Sequence, residues 1–400
     1  MDLLLINVAA LLRSLSIGLT GVVLGLYLAR AGFSAVDIGL VIGAGLAGSA
    51  LATVIVTLCA DHLGRRRTLA ALSVLTAAGG VGLALAPGLA LLLAVAFLGM
   101  LNGMGTDRSA SFALEQAMIP GLVSIERRTW TLARYNLVLD AAGALGALAA
   151  ALPLWVERTL GLPLPSAYRA LFFGYAAANL ATALFYAFLS SGVEVHSSQD
   201  PASMRPIITS ATKKVVGKIT ALFSIDAFGG GFLTDALVAY WFFRRFGATE
   251  AKLGVLFFVI RVLNAGSHLG AAWLARRIGL VNTMVFTHLP SSLCLIAVPF
   301  APTLPVAVVL LLLREALVEM DVPTRQSYVA ALVQPFERTF ASGVTNLARN
   351  LFWALGSSLS GFFMRGVSFG APLVIGGSLK IAYDILLYRS FRRVRPPEER

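Results

Sequence analysis

Twelve long apolar stretches leave this chain few folds to choose from. A helix needs about 20 residues to cross roughly 30 Å of hydrocarbon. On that ruler the stretches fall at 3–29, 36–58, 68–86, 89–119, 129–152 and 167–191, then at 215–243, 250–274, 281–301, 304–332, 339–364 and 370–388. The runs are too long for barrel strands and lack their dyad alternation, so helices are expected throughout. Only 13% of residues are charged and 58% are hydrophobic, with a mean hydropathy of +0.81; a soluble chain carries roughly a quarter charged residues. The first stretch is longer than the apolar part of a signal peptide, has no basic leader and carries Arg13, so it reads as a retained span. Turn residues such as Pro87-Gly88, Pro120-Gly121 and Pro163-Leu164-Pro165 punctuate the runs.

The chain also repeats itself. Asp61-His62-Leu63-Gly64-Arg65-Arg66-Arg67 aligns without a gap, at an offset of 215 residues, with Arg276-Arg277-Ile278-Gly279-Leu280-Val281-Asn282. The same offset aligns the segment from Gly32 to Gly39 with that from Gly247 to Gly254, and Arg128-Thr129 with Asn136 recurs as Arg338-Thr339 with Asn346. One ancestral unit duplicated within an apolar chain points to a transporter with its site between matching halves. Between the sixth and seventh stretches the hydropathy lapses, with Glu194, His196, Ser197, Ser198, Gln199, Asp200 and Pro201 in succession or nearly so. The expected organisation is an all-α membrane protein of twelve transmembrane helices in two pseudo-symmetric six-helix bundles: residues 1–191, a cytoplasmic linker at 192–214, and residues 215–400 ending in a basic tail.

Charge gives an orientation. With both termini inside, the inner loops hold twelve basic residues and the tail five, against seven in the outer loops. Short loops rich in Lys and Arg stay on the cytoplasmic side. Much of the formal net charge of +12 is thereby a topology signal. The arginines are scattered over both faces, so nucleic-acid binding is not expected. The two cysteines, Cys59 and Cys294, lie in apolar contexts, and neither they nor the four histidines have metal spacing. No metal and no cofactor are expected.

Twelve spans, two similar halves, a polar linker and a basic loop after the second span resemble the major facilitator superfamily. Its loop motif runs Gly, three residues, Asp, a basic residue, one residue, Gly, then two or three basic residues. Asp61, Gly64, Arg65, Arg66 and Arg67 match; Thr57 replaces the first Gly, and His62 the first basic residue. The second copy keeps Gly279 but has Arg276 in the acidic position. Segments such as Glu319-Met320-Asp321-Val322-Pro323-Thr324-Arg325 and Gly343-Val344-Thr345-Asn346 are similar to those of poorly characterised bacterial members. The glycine-proline motif of the family's antiporters is not clean, since no Gly-Pro pair follows Gly143 and Gly146. The resemblance implies alternating access, a small-molecule substrate, an inner-membrane location and spans one, four, seven and ten around a central cavity. It also implies that Asp61 and its basic neighbours gate the inner face.

Charges at membrane depth cost at least ~2.5 kcal/mol each and are usually paired or face a cavity. On the implied cavity-lining spans, Arg13 lies in the first; Asp226 and Asp235 flank Gly229-Gly230-Gly231 in the seventh; and Arg314, Glu315 and Glu319 lie in the tenth. Two carboxylates one helical turn apart do not both ionise easily in a low dielectric, which suits Glu315 or Glu319 to carry a proton. Three adjacent glycines cost roughly 0.8–1 kcal/mol each relative to Ala in a helix interior, so the seventh span is expected to be flexible or broken beside the two aspartates. Arg13, Arg261 and Arg314 suit an anionic or zwitterionic amphipathic solute. Asp107, Arg108 and Glu115 on the fourth span read as gating ion pairs, Asp321 and Arg325 as an i, i+4 pair, and Asp140 with Arg349 as a latch between halves. Proton-driven efflux by a monomer is the leading expectation. Proton-coupled uptake and uncoupled facilitation are the alternatives, and a membrane-embedded enzyme a distant one, since no nucleophile–base pair or phosphate loop is present.

Overall fold

In the computed structural model, residues 1–86, 88–124, 127–194, 209–321 and 338–391 are described, together with 324, 325 and 328. Most of the linker and the basic tail lie outside these residues. The apolar stretches fold as helices: α1 Asp2–Arg30, α2 Ala35–Leu63, α3 Arg65–Leu85, α4 Leu89–Leu98, α5 Ala110–Met118, α6 Arg128–Leu148, α7 Leu152–Leu160, α8 Leu164–Ala187, α9 Ser210–Gly231, α10 Asp235–Phe246, α11 Glu250–Ile278, α12 Leu280–Ala297, α13 Leu304–Val318, α14 Arg338–Gly366 and α15 Ala371–Phe391. Among the described residues, eight helices are long and apolar enough to cross a membrane. Several of the expected spans are assembled from two shorter helices.

The breaks have local causes. The seventh span stops at Gly231, where the glycine triplet ends, and resumes at Asp235 as α10. The fourth span, expected as one run over 89–119, instead comes apart between Leu98 and Ala110. Met100 there has a φ of 51° and Gly105 one of 72°, and neither belongs in a right-handed helix. The Asn102 side chain replaces the lost helix bonds: its Nδ2 donates to the Thr106 carbonyl at 2.9 Å, and its Oδ1 accepts from the Met104 N–H at 2.7 Å. At the start of α2, Ser34 and Asp37 form a reciprocal capping box, which satisfies two otherwise orphaned donors.

The chain divides into two compact units. The first comprises Met1–His196, Thr234–Arg261 and Ser357–Phe362; the second comprises Ser197–Leu233, Val262–Gly356 and Phe363–Arg400. In the first, α1 packs on α6, α8 and α10. Contact with α6 is close because of glycine: a Cβ on Gly18 would stand 2.0 Å from the Gly143 carbonyl oxygen, and one on Gly146 2.1 Å from that of Leu15. Small residues at such crossings let backbones approach, which drives helix association where lipid removes the hydrophobic incentive. Its core includes Ile6, Leu69, Met118, Tyr135 and Tyr186. In the second unit α12, α13, α9 and α15 pack together around Phe223, Met284, Tyr328, Tyr383 and Leu387. The outward faces are apolar as well: Leu58, Leu98, Leu137, Phe188 and Phe300 are more than half exposed, a surface suited to lipid.

Candidate functional site

Three constellations of buried charge are held at membrane depth, two in the first unit and one in the second. The first centres on Arg13 in the middle of α1. Its Nε donates to Asp107 Oδ2 at 2.7 Å and its Nη2 to Glu115 Oε2 at 2.5 Å. Its Nη1 reaches the Tyr186 hydroxyl. Glu115 is fully buried and also accepts from Tyr135 at 2.6 Å and Tyr186 at 2.7 Å. The break in the fourth span brings Asp107 here, and Ser109, one residue before α5, donates its N–H to Asp107 Oδ1 at 3.1 Å. Arg108 lies in that same non-helical segment, so Asp107, Arg108 and Glu115 are not carried on one continuous helix. Two carboxylates thus share one guanidinium, an arrangement assembled by α1, α5, α6 and α8 together.

The second constellation lies where the two broken spans meet. Arg261 of α11 pairs with Asp235, the first residue of α10. Gly105 lies directly against both: a Cβ there would stand 2.0 Å from Asp235 Oδ2 and 2.5 Å from Arg261 Nη2. Only glycine combines that approach with a φ of 72°. The Ala236 N–H, an orphan of the first turn of α10, donates to the Gly103 carbonyl at 3.0 Å, and Thr20 of α1 donates to that of Asn102 at 2.9 Å. Unwound backbone at this depth persists only where protein or a water-lined cavity satisfies it. Discontinuous helices of this kind mark ion and substrate sites in transporters.

The third constellation is in the second unit. Asp226 of α9 accepts from Lys380 Nζ of α15 at 2.6 Å and from Arg325 at 3.4 Å. Arg325 donates to Asp321 at 2.6 Å, the i, i+4 pair expected from spacing. His288 Nδ1 of α12 lies 3.0 Å from both oxygens of Asp384, and its Nε2 lies 3.9 Å from Asp226. Sequence reasoning had Asp226 and the Asp321–Arg325 pair but gave no role to His288, Lys380 or Asp384. The available signal was the i, i+4 spacing of Lys380 and Asp384 on one apolar span. Glu315 pairs with its neighbour Arg314, while Glu319 caps the end of α13. Arg349 of α14 is buried and stacks over Trp353 at 4.6 Å. Asp140 is exposed on α6.

The loop between α2 and α3 carries the matched motif. Gly64 turns the chain with a φ of 90°. Asp61 accepts from Arg65 Nε at 2.7 Å, and its side chain is 57% exposed. Arg66 donates to the Leu189 carbonyl at 2.8 Å, and Arg67 faces outward. The α3 N-terminus is capped from a distance: the Glu194 carboxylate accepts from the N–H groups of Arg65 at 2.6 Å and Arg66 at 3.3 Å. That carboxylate had been read only as part of the linker. A negative charge at a helix N-terminus meets both the orphan donors and the helix dipole. Among the described residues no group of three or more His, Cys, Asp or Glu is placed to hold a metal ion.

The comparisons agree with this architecture. Residues 6–357 match the family model described as Major Facilitator Superfamily. An uncharacterized membrane protein of Saccharomyces cerevisiae, YJR124C, is 26% identical over 416 residues, covering 96% of this chain and 93% of that one. Among solved structures, the nucleoside transporter NupG superposes with a TM-score of 0.74 at 14% identity, covering 98% of this chain and 99% of its own. A D-xylose–proton symporter gives 0.74 at 14%, covering 97% and 98%. An inward-facing, occupied bacterial homolog of the human lysosomal transporter Spinster gives 0.73 at 15%, covering 97% and 94%. At those identities the structures speak to the fold, and the family match covers most of the sequence: the chain belongs to the major facilitator superfamily and is a multi-pass membrane transporter, not an enzyme.

Proposed function

We propose that the protein moves a small organic solute across the cytoplasmic membrane by alternating access, with proton entry driving efflux and both termini on the cytoplasmic side. The observation that carries the coupled reading is the Arg13–Asp107–Glu115 cluster, where a buried guanidinium is outnumbered by carboxylates. An intramembrane ionisable group is expensive, and an excess acid is relieved by a proton. Of the four carboxylates expected as proton carriers, Glu319 stands at the end of α13, and Asp226, Asp235 and Glu315 each meet a cation, Lys380, Arg261 and Arg314. That supports roles for them in holding conformations. The solute site is proposed at the broken spans, where Asp235 and Arg261 offer both signs of charge beside non-helical backbone, and a zwitterionic or hydrogen-bonding solute fits them. The likeness to a D-xylose–proton symporter favours a second reading, proton-coupled uptake.

A thermal-shift screen of purified protein, with D-xylose and nucleosides as first probes, selects a solute for transport in liposomes. Counterflow of that labelled solute, followed by accumulation under an imposed pH gradient, tests coupling and direction together. Accumulation on the acidic side that a protonophore abolishes is the result expected of proton-driven efflux. Accumulation on the alkaline side establishes uptake, and indifference to the protonophore removes the proton from the scheme.

A further inference from the structure

The junction of α11 and α12 is the second copy of the basic junction between α2 and α3, and the two copies differ in how their charge is met. The first carries its own acids. Asp61 accepts from the Arg65 side chain, and Glu194 accepts from the N–H groups of Arg65 and Arg66. In the second, Arg276 stands in the place of Asp61, with Arg277 beside it, and no Asp or Glu occurs between Glu250 and Glu315. Both arginines are exposed. Among the described residues no carboxylate pairs with either.

The surface that leads to them is apolar and open. Val262, Gly266, Trp273 and Arg277 recur along α11 at spacings of four, seven and four residues, which puts them on one side of a helix. Val262 and Trp273 are more than half exposed, and Gly266 is exposed too. The polar residues Asn264 and Ser267 are buried with Ala271 on the opposite side. The stripe ends where the Arg277 guanidinium lies over the Trp273 ring, 4.4 Å from its centroid. Arg276 falls on the other flank of the line through Trp273, at 3.6 residues per turn. Tryptophan favours the boundary between hydrocarbon and headgroups, so its arginine neighbours stand at headgroup level.

We propose that Trp273, Arg276 and Arg277 bind the headgroup of an anionic phospholipid, with an acyl chain lying along the stripe from Trp273 to Val262. The membrane then supplies to the second copy the negative charge that Asp61 and Glu194 supply to the first. Each part of such a lipid meets a matching part of the helix. A phosphodiester offers two oxygens to a guanidinium, whose planar fork suits that geometry. The Trp273 ring covers the glycerol region, and the apolar stripe takes methylene groups. A zwitterionic headgroup brings a cation of its own toward two arginines and gains less. An acidic peptide matches the charge but not the stripe. A basic residue near an anionic membrane surface contributes about 1 kcal/mol, which is about a fivefold preference for one arginine and about a thirtyfold one for two.

Trp273 itself reports the lipid beside it. The full chain and its Trp273→Phe variant are placed in phosphatidylcholine liposomes, and the difference in their emission is the Trp273 signal. Unlabelled lipid is then replaced by lipid brominated on the acyl chain close to the headgroup, which quenches an adjacent indole. Brominated phosphatidylglycerol is expected to half-quench that signal at a mole fraction about fivefold to thirtyfold below that of brominated phosphatidylcholine. Arg276→Gln with Arg277→Gln is expected to remove the preference and to leave quenching by brominated phosphatidylcholine at the wild-type level, which shows that α11 still faces lipid. Equal half-quenching fractions for the two lipids in wild type overturn the proposal without recourse to the double variant. An undiminished preference in the double variant overturns it as well. So does protection of Trp273 from both lipids, because protein then covers the stripe.

Discussion

Arg30 and Glu250 stand 220 positions apart in the chain and meet in a two-point ion pair, Nε to Oε1 at 2.6 Å and Nη2 to Oε2 at 3.1 Å. Glu250 is wholly buried at the start of α11, where Tyr168 of α8 also donates to it. Arg30 ends α1, keeps 31% of its side chain exposed and lies over the Phe243 ring. The pair ties the ends of α1, α8 and α11 together inside the first unit.

That asymmetry of burial decides which half of the pair matters more. Removing Arg30 strands a carboxylate with no route to water, at a cost of about 3–5 kcal/mol. Removing the Glu250 charge leaves Arg30 free to turn toward solvent, as a long cationic side chain can. Arg30→Met is therefore expected to lower the thermal midpoint of purified protein more than Glu250→Gln does. The double variant should recover most of the loss, because no buried charge remains unpaired. Equal losses from the two single changes would mean that the pair is not buried as described.

Asp61 presents the opposite case. Its side chain is 57% exposed where it meets Arg65, and pairs open to water contribute about 0–1 kcal/mol. Asp61→Asn should leave the melting midpoint nearly unchanged. Its role is proposed to lie in gating, so turnover should fall while solute affinity holds. Glu194→Ala, by contrast, removes a helix cap and should cost about 1 kcal/mol, read as a lowered midpoint. A transport rate at the wild-type level in Asp61→Asn would remove the gating role.

The long spans were legible because hydropathy alone fixes them: α1, α2, α3 and α12 start within three residues of the expected positions. The break in the seventh span was legible too: the three adjacent glycines are still helical, but the helix ends on the last of them. The break in the fourth was not. Its glycines, Gly99, Gly103 and Gly105, are dispersed among apolar residues that keep the window hydrophobic, and what stabilises the open segment is a set of distant partners on α1, α10 and α11. The same limit applies to the charges. A periodicity argument relates Asp321 to Arg325, four residues apart, but it has no access to Arg13 with Asp107 or to His288 with Asp384, which meet only after the helices pack.

Orientation can be read from labelling in intact cells. With both termini inside, a cysteine introduced in the linker at 197–200 should resist a membrane-impermeant thiol reagent, and one at Gly161 should react. Gly161 terminates α7 with a φ of 66°, a conformation that disfavours any other residue, so the neighbouring exposed Leu162 is the better site. Reaction at the linker with protection at Leu162 would invert the topology.

The last prediction separates structural charge from coupling charge. In the second unit Asp226 faces Lys380 and Arg325, and Arg325 is shared with Asp321. Neutralising Asp226 leaves two buried cations with one carboxylate fewer, and about 3–5 kcal/mol of stability should go with it. Lys380→Met should cost a similar amount from the other side. Contacting residues couple by about 0.5–3 kcal/mol, so Asp226→Asn with Lys380→Met should be markedly more stable than the sum of the single losses. Denaturation in detergent micelles measures all three, and transport under an imposed pH gradient follows on the variants that fold. If Asp226→Asn keeps the wild-type midpoint yet loses proton-driven accumulation, the second unit carries the proton and the cluster around Arg13 does not. If the midpoint falls and the rescued double variant still accumulates solute, the Asp226 network is a clamp, and the proton is left to the cluster around Arg13.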